Sequence, residues 1–179
     1  MEIVKRKDIK DVFLICSKKH LDSRGWFQET YHMDKFLKNQ LELSFVQDNL
    51  VYSNRNVLRG LHFQDKNGQG KLISCIRGKI FDVLVDLRKE SSTYKKWISI
   101  ELSEDDNNFI YVPPGFAHGY YVMEDKSLVH YKCTKHYKPE NEIGIIWNDS
   151  DININWPNTN NRILSKRDES NKTVKALKL

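Results

Sequence analysis

The sequence predicts an all-β domain, an antiparallel sandwich or barrel, and three observations carry that prediction. Most segments alternate apolar and polar residues with period two, or form short apolar runs closed by turn residues. Ten such segments follow one another within roughly 145 residues at spacings of about 8–14, the rhythm of antiparallel β architecture. Only one stretch, between residues 33 and 41, breaks that rhythm with apolar residues at helical intervals.

Taken in order, the expected strands are Val12–Cys16, Trp26–Tyr31, Ser44–Val51, Lys71–Ile76, Lys79–Leu87, Trp97–Glu101, Asn108–Val112, Gly119–Val122, Val129–Thr134 and Glu142–Ile146. Arg77-Gly78, between two of them, reads as a tight hairpin, and the run Asp105-Asp106-Asn107-Asn108 as a loop. In Met33–Leu41 the residues Met33, Phe36, Leu37 and Leu41 share one helical face, with Asp34 in the first turn, which predicts a short helix. A second short helix is expected near the C-terminus. There is no repeat, no linker rich in Pro, Gly or Ser, and no low-complexity run beyond Asn158–Asn161. The expectation is therefore one domain over residues 1–179, with a basic tail over about 169–179.

Composition excludes several classes. An aromatic content of 11% beside 39% hydrophobic and 30% charged residues describes a folded chain on the polar side of globular. No apolar run approaches the ~18 residues that span a bilayer. The N-terminal MEIVKRKDIK lacks the apolar stretch of a signal peptide, so a soluble, cytoplasmic protein without a membrane partner is expected. The net charge of +5 is concentrated at the end, where Arg162, Lys166, Arg167, Lys172, Lys175 and Lys178 face only Asp168 and Glu169. The body is thus near neutral and carries no basic stripe with interleaved aromatics, which argues against nucleic acid, while a small anionic ligand stays open. Cys16, Cys75 and Cys133 form no CxxC pair; Cys75 and Cys133 lie in apolar strands and read as buried thiols.

Three stretches carry chemistry. In Arg59-Gly60-Leu61-His62-Phe63-Gln64, alternation around Gly60 puts Arg59, Leu61 and Phe63 on one face and His62 and Gln64 on the other. A histidine on an inward face can act as a base, because an unperturbed imidazole titrates near ~6.5; it can equally be a satisfied core residue. In Phe45–Leu50, Gln47 and Asn49 share a face where a sheet interior normally carries Val or Ile, and buried amides need partners. Gln69-Gly70-Lys71-Leu72 adds a cation beside a glycine. Together they describe a polar pocket inside a β-barrel.

The run Pro113-Pro114-Gly115-Phe116-Ala117-His118-Gly119 contains P-x-G-x-x-H and resembles the second box of the cupin double-stranded β-helix, a jelly roll. The first cupin box would need H-x-H and a downstream Glu to bind metal; here it holds His62 followed by Phe63 and Gln64, so no metal is expected.

The boxes Asp22–Glu29, Phe45–Asn49, Arg59–Gln64, Gln69–Leu72, Phe81–Arg88, Pro114–Gly119, Tyr131–Cys133, Trp147–Asp149 and Leu164–Asp168 together resemble, in order and spacing, the nucleotide-sugar 3,5-epimerase family, over about residues 10 to 168. That resemblance implies cofactor-free epimerisation at C3 and C5 of a nucleotide-linked 4-keto-6-deoxy sugar, such as dTDP-4-dehydro-6-deoxy-D-glucose. It implies His62 as base, Tyr131 as the acid on the opposite face, Asp168 as the carboxylate orienting His62, and Lys71 as the cation near the C4 oxygen. It further implies Arg59 at the diphosphate with Gln47 and Asn49 beside it, His118 on the ligand side, Tyr137 stacked on the nucleobase, and Glu142 and Arg167 as further contacts. Arg24, Phe27 and Glu29 would reach the site of a second subunit, which implies a homodimer. The alternatives are a C3-only enzyme, an enzyme for another nucleotide sugar such as a GDP-4-keto-heptose, a non-catalytic nucleotide-sugar-binding cupin, and a metal-dependent cupin.

Overall fold

In the computed structural model, which describes residues 1–65, 68–106, 108–157 and 159–179, the alternating segments become thirteen strands among the described residues. They are β1 (Glu2–Lys5), β2 (Phe13–Cys16), β3 (Lys19–Asp22), β4 (Gly25–Gln28), β5 (Gln47–Ser53), β6 (Leu58–Gln64), β7 (Lys71–Arg77), β8 (Lys79–Asp86), β9 (Trp97–Ser103), β10 (Asn108–Val112), β11 (Phe116–Val122), β12 (Ser127–Cys133) and β13 (Glu142–Gly144). Helix α1 covers Met33–Lys38, and two single-turn helices, α2 (Lys166–Glu169) and α3 (Val174–Leu177), close the chain. Asn107 of the expected 105–108 loop and Asn158 of the Asn-rich run lie outside the described residues.

One sheet orders its strands β1-β2-β10-β7-β12-β5, the other β13-β6-β11-β8-β9, and every paired strand runs antiparallel. Alternation decides what lies between them. Ile73, Cys75 and Val129 from the six-stranded sheet meet Ile80, Leu84, Leu102 and Val122 from the five-stranded one in a shared core. The outer face of the five-stranded sheet, with Leu58, Leu61, Val83, Val85 and Ala117, is covered by Ile145, Ile152, Trp156 and Val174 of the C-terminal segment. On the other side, Phe36 of α1 and Leu41 pack with Ile15, Leu72 and Phe109 against the outer face of the six-stranded sheet.

Three strands lie outside the ten expected: β6 coincides with the alternating stretch Arg59–Gln64, and β1 and β3 escape for one physical reason. β1 pairs only with β2 at a sheet edge, and β3 pairs only with β4 in a separate hairpin, so neither has a buried face to impose apolar alternation. The Arg77-Gly78 turn is as expected: Gly78 has φ +73°, and a Cβ there would lie 2.4 Å from Ser127 Oγ. The basic tail keeps its lysines exposed, but its backbone is anchored rather than free. Val174 is fully buried, a contribution of roughly 1.5 kcal/mol for a side chain of that size. Its N–H donates to Asp149 Oδ2 at 2.7 Å, and Ile146 N–H donates to Lys172 O at 3.0 Å.

Candidate active site

The position of Arg59 departs from simple alternation. The ladder between β6 and β11 shifts register between His118 and Tyr120, so His62 faces His118 while Arg59 faces Tyr120. Gly60, at φ +96°, is the extra residue of this bulge; a Cβ on it would stand 2.6 Å from His118 O, and one on Gly119 would stand 2.7 Å from Arg59 O. The inserted residue resets the alternation. Leu58, Leu61 and Phe63 point to the outer core, while Arg59 joins His62 and Gln64 on the inner face instead of siding with Leu61 and Phe63.

Those inner residues line a cavity of about 620 Å³ between the two sheets, within the usual range for small-molecule sites. The five-stranded sheet contributes Arg59, His62, His118 and Glu142; the facing sheet contributes Gln47, Asn49, Lys71 and Tyr131. Tyr137, Arg167 and Asp168 complete the rim and floor. Of the fourteen residues singled out from sequence, eleven line this cavity and three lie on or just after the β3–β4 hairpin; among the eleven, Asp168 is hydrogen-bonded to His62 and Gln47 to Asn49.

His62 Nε2–H donates to Asp168 Oδ1 at 2.6 Å, leaving Nδ1 as the free nitrogen, 4.0 Å from Glu142 Oε1. The carboxylate is delivered by α2, whose cap Ser165 accepts the Asp168 N–H through Oγ at 3.1 Å. Burial pushes the Asp168 carboxyl up, but the hydrogen bond and charge of His62, together with Ser165 and the Gly60 backbone, hold it below its ordinary value. Asp168 is therefore a fixed anion. Glu142 Oε2 accepts from Tyr137 Oη at 2.8 Å and from Arg167 Nη2 at 2.5 Å.

The opposite wall carries the lysine and the tyrosine. Burial pushes the Lys71 ammonium below its ordinary value, and Glu142 and Asp82 offset that only in part. Its Nζ stands 5.8 Å from the centroid of the Tyr131 ring. Burial likewise raises the Tyr131 phenol, which stays protonated at neutral pH. Gln47 Nε2 donates to Asn49 Oδ1 at 3.0 Å and its Oε1 accepts the Tyr137 N–H at 2.8 Å, so the inward amides are partnered, as burial requires. Arg59 Nε donates to Ser53 Oγ at 3.0 Å.

Two participants went unnoticed in the sequence. Asp82, fully buried, pairs with His118 Nε2 at 2.7 Å; its signal was an acidic residue at an inward position of an otherwise apolar strand, between Ile80 and Leu84. Cys133, read as an inert buried thiol, is indeed buried but also lines the cavity and accepts from Asn49 Nδ2 at 3.5 Å. Arg24, Phe27 and Glu29 are not at the cavity of their own chain. They lie on or just after the β3–β4 hairpin, where Arg24 pairs with Asp22 at 2.7 Å and Glu29 with Lys35 at 2.6 Å.

A jelly roll closed around a polar cavity, with a histidine–carboxylate pair on one wall and a lysine and tyrosine on the other, places the chain among cupin-type enzymes. The family profile of dTDP-4-dehydrorhamnose 3,5-epimerase matches residues 6–176. A protein of that name from Methanothermobacter thermautotrophicus is 48% identical over 158 residues, 87% of this chain and 85% of the relative; one from Escherichia coli is 44% identical over 92% of this chain and 90% of its own. The structure of a dTDP-6-deoxy-D-glucose-3,5-epimerase from Legionella pneumophila, in complex with dTDP-4-keto-L-rhamnose, superposes with a TM-score of 0.93 at 36% identity, covering 97% of this chain and 93% of that one. The chain belongs to the dTDP-4-dehydrorhamnose 3,5-epimerase family.

Proposed function

We propose that this chain inverts C3 and C5 of dTDP-4-dehydro-6-deoxy-D-glucose, giving dTDP-4-dehydro-L-rhamnose. The observation that carries the reading is the placement of His62 Nδ1 on one sheet against Lys71 and Tyr131 on the facing sheet, across one cavity. The C4 ketone acidifies the hydrogens at C3 and C5. His62 Nδ1 takes one of them, the electron pair moves onto O4 as an enolate, and the Lys71 ammonium opposes the charge that grows there. Tyr131 then returns a proton to the same carbon from the other face; His62 releases its proton to solvent and the Tyr131 phenolate takes one up, which resets both groups for a second round at the other carbon. Asp168 holds the imidazole in the tautomer that leaves Nδ1 free and stabilises the imidazolium, as an aspartate does in hydrolytic triads.

Arg59, with Gln47 and Asn49, takes the diphosphate, and His118, held by Asp82, contacts the ligand beside it. Tyr137 stacks on the base, with Glu142 and Arg167 at the rim. The working unit is a homodimer in the cytoplasm. Leu21, Trp26 and Phe27 on the hairpin are 80%, 59% and 69% exposed, which supports burial against a second copy, into whose cavity Arg24, Phe27 and Glu29 reach.

The test is conversion of dTDP-4-dehydro-6-deoxy-D-glucose, with the product trapped by a stereospecific 4-ketoreductase and its ring couplings read by proton NMR. Inversion at both carbons supports the reading. Inversion at C3 alone replaces it with a mono-epimerase, and recovery of unchanged sugar at high enzyme concentration overturns it.

A further inference from the structure

Asp168 has one more partner than the dyad with His62 requires. Asn171 Nδ2 donates to Asp168 Oδ1 at 3.3 Å, the same oxygen that receives His62 Nε2–H at 2.6 Å. The carboxamide is seated by the shape of β13. It lies over Gly144, where a Cβ would meet Asn171 Oδ1 at 2.2 Å and its Cγ and Nδ2 at 2.5 Å, and Gly144 is the register partner of His62. A glycine directly opposite His62 thus leaves the space that the amide fills. The backbone on the far side is tied down as well: Lys172 O accepts from Ile146 N–H and Val174 N–H donates to Asp149. Asn171 is therefore held against the carboxylate from β13 and from the chain that follows it, and its contact is more than an accident of the α2 turn.

We infer that Asn171 is a positioning residue for the dyad, whose amide shares Asp168 Oδ1 with His62 and so limits how tightly the carboxylate grips the imidazolium. Two donors on one carboxylate oxygen divide its charge between them. Without the amide, His62 receives a larger share of it, the Nε2–H bond tightens, and the protonated imidazole is favoured to higher pH.

The other charged groups around the pair are not altered by a change at 171. From β13, Glu142 faces Nδ1 with Arg167 on its second oxygen and Tyr137 beside it. From β11 and β8 come His118 and Asp82, from β7 and β12 Lys71 and Tyr131, and Arg59 stands on β6 itself. Lys166 and Glu169, also on α2, are exposed, as is Lys172.

The consequence for rate rests on the epimerase reading, whereas the effect on the hydrogen bond does not. Asn171→Ala and Asn171→Leu both remove the donor, and Leu keeps the bulk over Gly144. In full-length protein labelled with nitrogen-15 histidine, the His62 Nε2–H resonance moves downfield in both variants. The acid limb of kcat for deuterium exchange into the keto-sugar moves up by about half a pH unit in both, with KM little changed. A resonance and a limb that stay in place in both variants overturn the inference; so does a change in the Ala variant alone, which marks packing. A downfield shift in a protein that exchanges no keto-sugar supports the inference and overturns the epimerase reading instead.

Discussion

His62 and Asp168 stand 106 positions apart in the chain and meet through a 2.6 Å hydrogen bond from Nε2 to Oδ1. The bond orients the ring so that Nδ1, and not Nε2, is turned to Glu142 and the cavity. The carboxylate is buried and ionised, and the residue's backbone N–H is held by the helix cap Ser165, which suits the proposed role of fixing a tautomer over that of accepting a proton.

Asp168→Asn tests that role. An asparagine keeps the shape, but its amide can donate to Nε2, which moves the ring proton to Nδ1 and removes the base. We expect kcat to fall by roughly 10²–10⁴ while dTDP binding, measured by calorimetry, stays within a few-fold. A variant with near-normal kcat would show that the tautomer is set elsewhere.

Tyr131→Phe separates the two half-reactions. Removal of the phenol spares proton abstraction by His62 but deletes the acid on the opposite wall. Solvent deuterium should still enter the sugar with retention, while net inversion falls by roughly 10²–10⁴. Equal loss of exchange and inversion would place Tyr131 in the first step.

Lys71, as the proposed cation at O4, should give the reaction an alkaline limit. Burial pushes its ammonium below the ordinary lysine value, so the cation is lost as pH rises through that lowered value. The alkaline limb of kcat should therefore lie below the usual lysine range. Lys71→Met should abolish the limb and reduce kcat by roughly 10²–10³, as removal of a charge that stabilises a transition-state oxyanion does. An alkaline limb that survives in Lys71→Met belongs to another group.

Stability in acid reports on a different site. Asp86 is buried and accepts from Arg88 Nε at 2.9 Å, Ser91 Oγ at 2.6 Å and Thr93 Oγ1 at 2.6 Å. Burial alone would raise its carboxyl, but these partners lower it to about 2. A depressed carboxylate stabilises the fold above its unfolded value and ceases to do so as pH falls through the folded one. The window is thus about pH 4 down to 2, with about 2 kcal/mol at stake. Asp86→Asn should lower Tm at pH 7 and flatten the loss of Tm between pH 4 and 2; an unchanged acid profile would remove Asp86 from that role.

Strands with one buried face were readable because burial imposes alternation, and β10 matches its expected span at both ends. The edge strand β1 and the hairpin strand β3 bury no face, and so left no such signal. Arg59 shows a subtler limit. Period two assigned it to the outer face, and only the pairing of β6 with β11 reveals that Gly60 is a bulge residue that turns it inward. His62, Gln47 and Asn49 announced themselves by being polar at inward positions. Asp168 did not, because its role depends on a contact made far along the chain, and only family resemblance pointed to it. Asp82 had the same inward-polar signature as Gln47, without a neighbouring amide to draw notice.

The central claim is that His62 removes the hydrogens at C3 and C5. Its most direct measurement is incubation of dTDP-4-dehydro-6-deoxy-D-glucose with the wild type and with His62→Ala in heavy water, reading deuterium at each carbon by NMR. We expect label at both carbons with the wild type and none at either with His62→Ala, whose dTDP affinity is retained. Wild-type rates of labelling in His62→Ala would contradict the assignment of the base.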